Sequence, residues 1–146
     1  MDSNLLKKIF VENDCDAILF VDPKNIRYMC GFRGNNGLLF YTKNNKMLLV
    51  TDPRFELEAK QNVKNAEIVI NVKESSLWEM PDFYKEHGIN KLGFSSKAMT
   101  VEMFNSISKE VAMVPIDIIP SAYRYTKSVQ EIKIMKESIR IQEKAL

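Results

Sequence analysis

The 146-residue sequence has few of the residues from which metal centres, disulfide frameworks and membrane spans are built. It contains one histidine and two cysteines, Cys15 and Cys30, which lack the paired spacing of a zinc site. We therefore expect both cysteines to be free, buried thiols. No apolar run approaches the roughly 20 residues that a membrane-spanning helix needs. These shortages predict a soluble protein without membrane contact and without a metal centre of its own.

An excess of charge of one sign is also missing. The chain has 21 Lys and Arg residues against 19 Asp and Glu residues, and the two signs are interspersed. A protein that binds nucleic acid usually concentrates basic residues on one surface, so this pattern argues against a nucleic-acid partner. The N-terminal segment is charged and amphipathic, without the apolar core of a secretory signal. We expect a cytoplasmic protein.

Strand-like and helical patterns alternate along the chain, and 45% hydrophobic residues suffice for one packed domain. The predicted helices cover residues 3–13, 23–29, 53–63 and 100–110, and the predicted strands cover residues 16–21, 66–72, 91–95 and 112–119. Two further strands, at residues 38–42 and 47–51, flank a polar turn and predict an antiparallel hairpin. The alternation with one hairpin predicts an α/β fold of three layers on a mixed sheet.

Capping signals mark the helix starts. Asp22 and Asp52 each precede a proline, which is the pattern of an N-cap followed by a first-turn proline. Residues 76 and 79 have the spacing of a capping box, although Pro81 is expected to bend that helix or delay its start. Ser128 and Glu131 repeat the spacing ahead of a final amphipathic helix that has no stop signal. We expect this helix to continue into further chain, which divides the sequence into a domain at residues 1–127 and the start of a linker helix at residues 128–146.

The candidate functional residues lie on a glycine-punctuated loop from Gly31 to Gly37. Its spacing matches neither the dinucleotide fingerprint nor the P-loop, and it leads into a strand, so a phosphate site is not expected. Arg33, Asn35 and Asn36 are the candidates for contacts with a substrate or a partner subunit, because a guanidinium can bind a carboxylate through two hydrogen bonds. The alternative is that they are ordinary solvated loop residues. Arg54 is a further candidate. A cation in the first turn of a helix is unfavourably placed with respect to the helix dipole, which favours a tertiary or intersubunit partner for it.

A catalytic centre is not evident in the sequence. Any Ser, Cys or metal chemistry that uses histidine depends on His87, which is predicted in the last turn of a helix. The aspartates fall at the ends of helices and strands, where carboxylates cap helices, and they form no acid–base pair. We therefore expect no catalytic residue and no cofactor in this chain.

The order of several motifs resembles the N-terminal domain of the creatinase and proline-specific peptidase family, with Xaa-Pro dipeptidase (prolidase) the most similar branch. The matching segments are residues 26–32 (IRYMCGF), 34–39 (GNNGLL), 49–55 (LVTDPRF) with Ala59, and 125–132 (YTKSVQEI). The resemblance covers essentially the whole chain. It implies a creatinase/prolidase N-terminal domain-like fold that takes part in homodimerisation and reaches over the active site of the partner subunit.

The resemblance also implies what the chain lacks. Members of the family carry a C-terminal pita-bread domain that binds two divalent ions, usually manganese, cobalt or zinc, and hydrolyses Xaa-Pro dipeptides or short proline-containing peptides. The expected role of this chain is therefore dimerisation and substrate access. Two alternatives stay open: a non-enzymatic binding or scaffolding module derived from the same fold, and a self-contained small-molecule binder. The dipeptidase, aminopeptidase and creatinase branches share this N-terminal pattern.

Overall fold

The computed structural model describes residues 3–72, 76–116 and 124–145. In these ranges the helices are α1 (Ser3–Asn13), α2 (Pro23–Cys30), α3 (Glu56–Asn62), α4 (Pro81–Glu86), α5 (Val101–Ile107) and α6 (Val129–Ala145). The strands are β1 (Ala17–Phe20), β2 (Gly37–Thr42), β3 (Met47–Thr51), β4 (Glu67–Ile70), β5 (Lys91–Phe94) and β6 (Ala112–Pro115).

The six strands form one mixed sheet in the order β4-β3-β2-β1-β5-β6. The central strand β2 runs antiparallel to both of its neighbours, β1 and β3. The outer pairs β3–β4, β1–β5 and β5–β6 are parallel. The predicted mixed sheet with an antiparallel hairpin is therefore confirmed.

Helices cover both faces of the sheet, which gives the predicted three layers. One core cluster joins inward residues of the strands to α4 and α5, with Phe40 packed against Phe83 and Tyr84. The other cluster joins the opposite strand face to α1, α2 and α3, with Leu39 and Leu49 fully buried in it. Strands covered on both faces need continuous apolar runs, which is why β1 and β2 read as unbroken hydrophobic segments.

Local signals explain where several elements begin and turn. Asp22 accepts a hydrogen bond from the backbone N–H of Lys24 and so caps α2. Asn45 adopts a left-handed backbone conformation (φ 61°) in the hairpin turn, which asparagine tolerates better than most residues. Thr100 caps α5 through the N–H of Met103 at 3.2 Å. The capping box of α6 is also confirmed, because the Ser128 N–H donates to Glu131 at 2.7 Å and the Glu131 N–H donates to Ser128 Oγ at 3.2 Å.

The structure differs from the sequence-based prediction in a few places. The predicted capping box at residues 76 and 79 caps no helix, because α4 begins at Pro81, whose ring suits a first helical position. The predicted helix at residues 53–63 begins as a 3₁₀ turn at Pro53–Phe55 before α3. β4, α5 and β6 are shorter than predicted, and residues 117–119 of the predicted last strand lie outside the described residues.

Candidate functional site

The glycine loop, residues Gly31 to Gly37, connects α2 to the beginning of the central strand β2. Gly31 ends α2 with a positive φ of 87°, and its N–H donates to the carbonyl of Arg27 at 2.9 Å. A left-handed C-cap of this kind favours glycine because a Cβ would be strained there. The loop continues into a strand, so it presents no helix N-terminus to a phosphate, as predicted.

Phe32 holds the loop against the domain. Its side chain is only 1% exposed and meets Phe55 edge-to-face, with ring centroids 6.0 Å apart. The backbone of Gly34 runs so close to these rings that an added Cβ would overlap Phe32 and lie 2.8 Å from the Phe55 ring. An added Cβ at Gly37 would also overlap the Phe32 ring, so both glycines allow this aromatic side chain to pack beneath the loop.

Asp52 joins the loop to the segment that follows β3. Its carboxylate accepts hydrogen bonds from Asn36 Nδ2 at 2.5 Å and from Nε and Nη2 of Arg54, each at 2.9 Å. It also caps the 3₁₀ turn through the Arg54 backbone N–H. The neighbouring Thr51 hydroxyl donates to the Asn36 carbonyl at 2.6 Å. The Arg54 guanidinium, assisted by Asn36, lowers the pKa of Asp52 to about 2, so this carboxylate is ionised at neutral pH.

Glu58, on α3, supports the tip of the loop. One carboxylate oxygen accepts the backbone N–H of Arg33 at 2.9 Å, whereas the other is buried and has no hydrogen-bond partner. The loop is thus braced from α3 at Arg33 and from Asp52 at Asn36. These contacts hold the loop through the Arg33 backbone and the Asn36 side chain.

The four residues singled out from the sequence divide into two pairs. Arg33 and Asn35 are exposed, and among the described residues no ion pair involves Arg33. Asn36 is half-buried, and its side-chain amide donates a hydrogen bond to the Asp52 carboxylate. Arg54 is exposed and pairs with the carboxylate of Asp52, two residues earlier.

Sequence reasoning missed the roles of Asp52 and Glu58 in this site. Asp52 precedes a proline and caps the turn that follows, as the sequence predicts, and it also accepts a hydrogen bond from Asn36, which lies opposite it across the open end of the hairpin. Glu58 lies 25 residues from Arg33 on an ordinary charged helix. The packing of α3 beside the loop brings Glu58 to Arg33.

The remaining candidates for chemistry have structural roles. His87 ends α4, with Nδ1 2.9 Å from the Phe83 carbonyl and its ring stacked near Phe83. Cys15 and Cys30 are free and buried, as predicted, and burial raises the pKa of both thiols. Within the described residues, no group of three His, Cys, Asp or Glu side chains is arranged to hold a metal ion. The two-metal centre implied by the resemblance therefore does not fit the described part of this chain.

No helix in the described ranges combines the length and apolar character needed to cross a bilayer.

Comparison with known proteins is consistent with this geometry. Residues 4–125 match the family model described as the Creatinase/Prolidase N-terminal domain. An uncharacterized peptidase of Bacillus subtilis, YqhT, is 32% identical over 143 residues, which are 96% of this chain and 40% of the relative. The chain therefore spans about two fifths of the length of that curated relative.

Solved structures give the same picture. The Xaa-Pro dipeptidase from Bacillus anthracis superposes with a TM-score of 0.80 at 28% identity, over 92% of this chain and 38% of that protein. The N-terminal domain of cytoplasmic peptidase PepQ from Mycobacterium tuberculosis superposes with a TM-score of 0.65 at 27% identity, over 76% of this chain and 88% of that domain. The family model, the matching sheet and helices, and these relatives agree, and this chain belongs to the creatinase/prolidase N-terminal domain family.

Proposed function

We propose that this chain is the non-catalytic N-terminal domain of an Xaa-Pro dipeptidase-like metallopeptidase. In this proposal the domain contributes to homodimerisation and shapes the access of Xaa-Pro dipeptides to an active site. A C-terminal pita-bread domain holds that active site and its two divalent ions, which are manganese, cobalt or zinc. The whole protein is cytoplasmic.

The names and lengths of the relatives support the assignment to a peptidase. One solved relative is an Xaa-Pro dipeptidase and one curated relative is a peptidase, and both are about two and a half times as long as this chain. The described residues of this chain offer no metal cluster. In the proposal, the chemistry therefore resides in the part of those proteins that this chain does not match.

The observation that carries the role in substrate access is the braced glycine loop. Arg33 is exposed beside exposed Asn35, while Glu58 accepts the Arg33 backbone N–H and the Thr51 hydroxyl donates to the Asn36 carbonyl. A guanidinium presents a planar array of donors that matches a carboxylate, such as the free C-terminus of a dipeptide. Because these contacts already hold the loop backbone, less backbone conformational entropy is lost when a ligand binds Arg33.

The same support makes Arg33 a better candidate than Arg54. The Arg54 guanidinium already donates two hydrogen bonds to Asp52, so a substrate carboxylate would have to compete with an internal one. In the proposal, Arg54 helps to hold Asp52 in place, and the exposed residues Arg33 and Asn35 contact the substrate. The same two residues are also the proposed contacts at the dimer interface.

A peptidase assay tests the proposed function. This 146-residue chain, incubated with manganese and an Xaa-Pro dipeptide, is expected to release no proline above a control with metal alone. The full-length protein under the same conditions is expected to hydrolyse the dipeptide. Turnover by this chain would overturn the non-catalytic role. Inactivity of the full-length protein with manganese, cobalt and zinc would instead favour the alternative of a binding or scaffolding module.

A further inference from the structure

The glycine loop ends in the step Asn36–Gly37, which is the only Asn–Gly step in the sequence. The side-chain amide carbon of an asparagine can be attacked by the backbone nitrogen of the next residue. The attack is fastest ahead of glycine, because a residue without a Cβ leaves this nitrogen unshielded and adopts the required backbone conformation at little steric cost. The sequence therefore places its asparagine of greatest intrinsic reactivity at the end of the glycine loop.

The Gly37 N–H lies outside the hydrogen-bond ladder of the hairpin. Hydrogen-bonded and non-hydrogen-bonded pairs alternate along antiparallel strands, and the Thr42 N–H donates to the Lys46 carbonyl at 2.9 Å. Counted back from that pair, Gly37 and Thr51 form a non-hydrogen-bonded pair, so the Gly37 N–H points away from β3. On the other side of β2, the pairing with β1 ends at Leu39. The attacking nitrogen is therefore not engaged in either strand pairing of the described sheet.

Two hydrogen bonds hold Asn36 itself in place. Its Nδ2 donates to the Asp52 carboxylate at 2.5 Å, and its carbonyl accepts the hydroxyl of the fully buried Thr51 at 2.6 Å. Arg54 in turn holds the Asp52 carboxylate through two hydrogen bonds of 2.9 Å. The nitrogen that Asn36 donates through is the one that leaves as ammonia when the amide reacts. Asp52 therefore restrains the amide, and the reaction requires this hydrogen bond to break.

We propose that Asn36–Gly37 is a site of spontaneous deamidation that Asp52 restrains, and that the modification releases the glycine loop from Asp52. The Gly37 nitrogen bonds to the Asn36 side-chain carbon, and ammonia leaves with the proton that Gly37 loses, which gives a cyclic succinimide. Water then adds to one of the two imide carbonyls and breaks its C–N bond, which gives aspartate or isoaspartate. Water is the only co-reactant, and nothing is oxidised or reduced.

Both products disturb the contacts that position 36 makes. An aspartate carboxylate there faces the Asp52 carboxylate where the Asn36 amide donated before, and two like charges at this distance repel. In isoaspartate the main chain runs through the former side-chain carbon, so the carbonyl that accepts from the buried Thr51 hydroxyl is displaced and that hydroxyl loses its acceptor. The loop then keeps its contact with Glu58 at Arg33 and loses its contact with Asp52. This inference stands without the proposed function, because it concerns this chain alone.

Peptide mapping by mass spectrometry tests the modification. The folded chain is incubated at mildly alkaline pH, and fragmentation that distinguishes aspartate from isoaspartate is applied to each asparagine. Product is expected to accumulate first at position 36, with Asn35 as the internal control. Asp52→Ala should react at least about tenfold faster, because a hydrogen bond to a charged acceptor favours the held state by at least about that factor. Arg54→Met leaves the bond between Asn36 and Asp52 in place and should stay within about twofold of wild type.

Circular dichroism first establishes that both variants are folded. A wild-type chain in which other asparagines react while position 36 stays unmodified would overturn the deamidation site. A folded Asp52→Ala variant that reacts at the wild-type rate would overturn the restraint by Asp52.

Limited trypsin digestion tests the release of the loop and does not depend on the Asp52 variant. Asn36→Asp carries the charge of the product, and cleavage after the exposed Arg33 is expected to be at least about fivefold faster than in wild type. Cleavage after Lys43, in the hairpin turn, is the matched control and should change by less than about twofold. Wild type that has been deamidated by incubation should behave as Asn36→Asp does. Cleavage after Arg33 at the wild-type rate in both samples would overturn the release of the loop.

Discussion

Asp16 and Asp52 lie at opposite ends of the sheet, and each collects several hydrogen bonds. Asp16 precedes β1 and accepts Nζ of Lys43 at 2.5 Å and the backbone N–H groups of Asn90 and Lys91 at 2.9 and 3.0 Å. Burial opposes its ionisation, but these hydrogen bonds outweigh it and lower the pKa of Asp16. The Asp16 corner thus ties the hairpin turn to the start of β5.

Asp52 follows β3 and holds a different kind of structure. Its donors, Asn36 and Arg54, come from the glycine loop and the first turn after the strand. Beyond them Arg33 and Asn35 face solvent. An aspartate carboxylate therefore ties strands together at one end of the sheet, and another supports the glycine loop at the other end. The proposed contacts of the domain with other molecules lie at the Asp52 end.

The largest expected effect comes from removing the side chain of Phe32, which anchors the glycine loop at the Asp52 end. The Asp16 corner is held by hydrogen bonds instead. Phe32→Ala should cost about 3–5 kcal/mol, because it leaves a cavity beneath the loop. Urea unfolding of this chain measures the change in free energy. Phe10→Ala is the matched control, since Phe10 is only half-buried against Tyr41 and should cost less. Equal losses would mean that the loop does not depend on Phe32.

The hydrogen bonds that Asp16 accepts can be removed by substitution. Asp16→Ala should destabilise the chain by about 2 kcal/mol at neutral pH, because two backbone N–H groups of the sheet lose their charged acceptor. Lys43→Met, which keeps those two bonds and removes an ion pair whose Lys43 side chain is 55% exposed, should cost less than about 1 kcal/mol. Chemical unfolding of both variants checks the ratio. A Lys43→Met loss as large as that of Asp16→Ala would assign the corner to the ion pair.

The Asp52 corner predicts a pH dependence. The folded pKa of Asp52, about 2, lies below its unfolded value, so its ionisation stabilises the fold above about pH 4 and this stability is lost as the pH falls through 2. Asp52→Asn should therefore cost about 1 kcal/mol at neutral pH, and the gap to wild type should close in acid. Thermal unfolding from pH 7 to pH 2 measures the gap. A gap that stays constant across this range would exclude the ionised carboxylate as its cause.

The smallest expected effect is that of Arg54. Its guanidinium pairs with Asp52, but the Arg54 side chain is 77% exposed, so Arg54→Met should cost only about 0.5 kcal/mol. The loss should disappear when Asp52→Asn is already present, because the two residues share one interaction. A double-mutant cycle by urea unfolding measures this. Additive losses would show that Arg54 acts through some other contact, such as the Phe55 ring 5.8 Å away.

Local signals in the sequence account for much of the fold. The hairpin follows from two apolar runs around Asn44 and Asn45, and the starts of α2 and α6 follow from Asp22 and Ser128. These features depend on residues within a few positions of one another, so a single sequence contains their physical cause. The layered α/β architecture then follows from the alternation of the elements.

The candidate site was less predictable because its contacts are distant in sequence. Arg33 and Asn35 were identified from loop chemistry alone. The hydrogen bond from Asn36 to Asp52 lies across the open end of the predicted hairpin, next to the paired residues Gly37 and Thr51. The hydrogen bond from the Arg33 N–H to Glu58 depends on where α3 packs, which no local pattern specifies. The pairing of Arg54 with Asp52 is local, because a carboxylate two residues earlier offsets the unfavourable place of a cation in the first turn of a helix.

Steady-state kinetics of the full-length protein test the central claim, which is that the braced loop presents Arg33 to substrate. With an Xaa-Pro dipeptide, Arg33→Ala should raise KM about tenfold with little change in kcat, because a charge-assisted hydrogen bond to the substrate carboxylate is lost. With the C-terminally amidated dipeptide the same variant should differ from wild type by less than about twofold. An unchanged KM for the free dipeptide, in a variant with wild-type stability, would contradict the account.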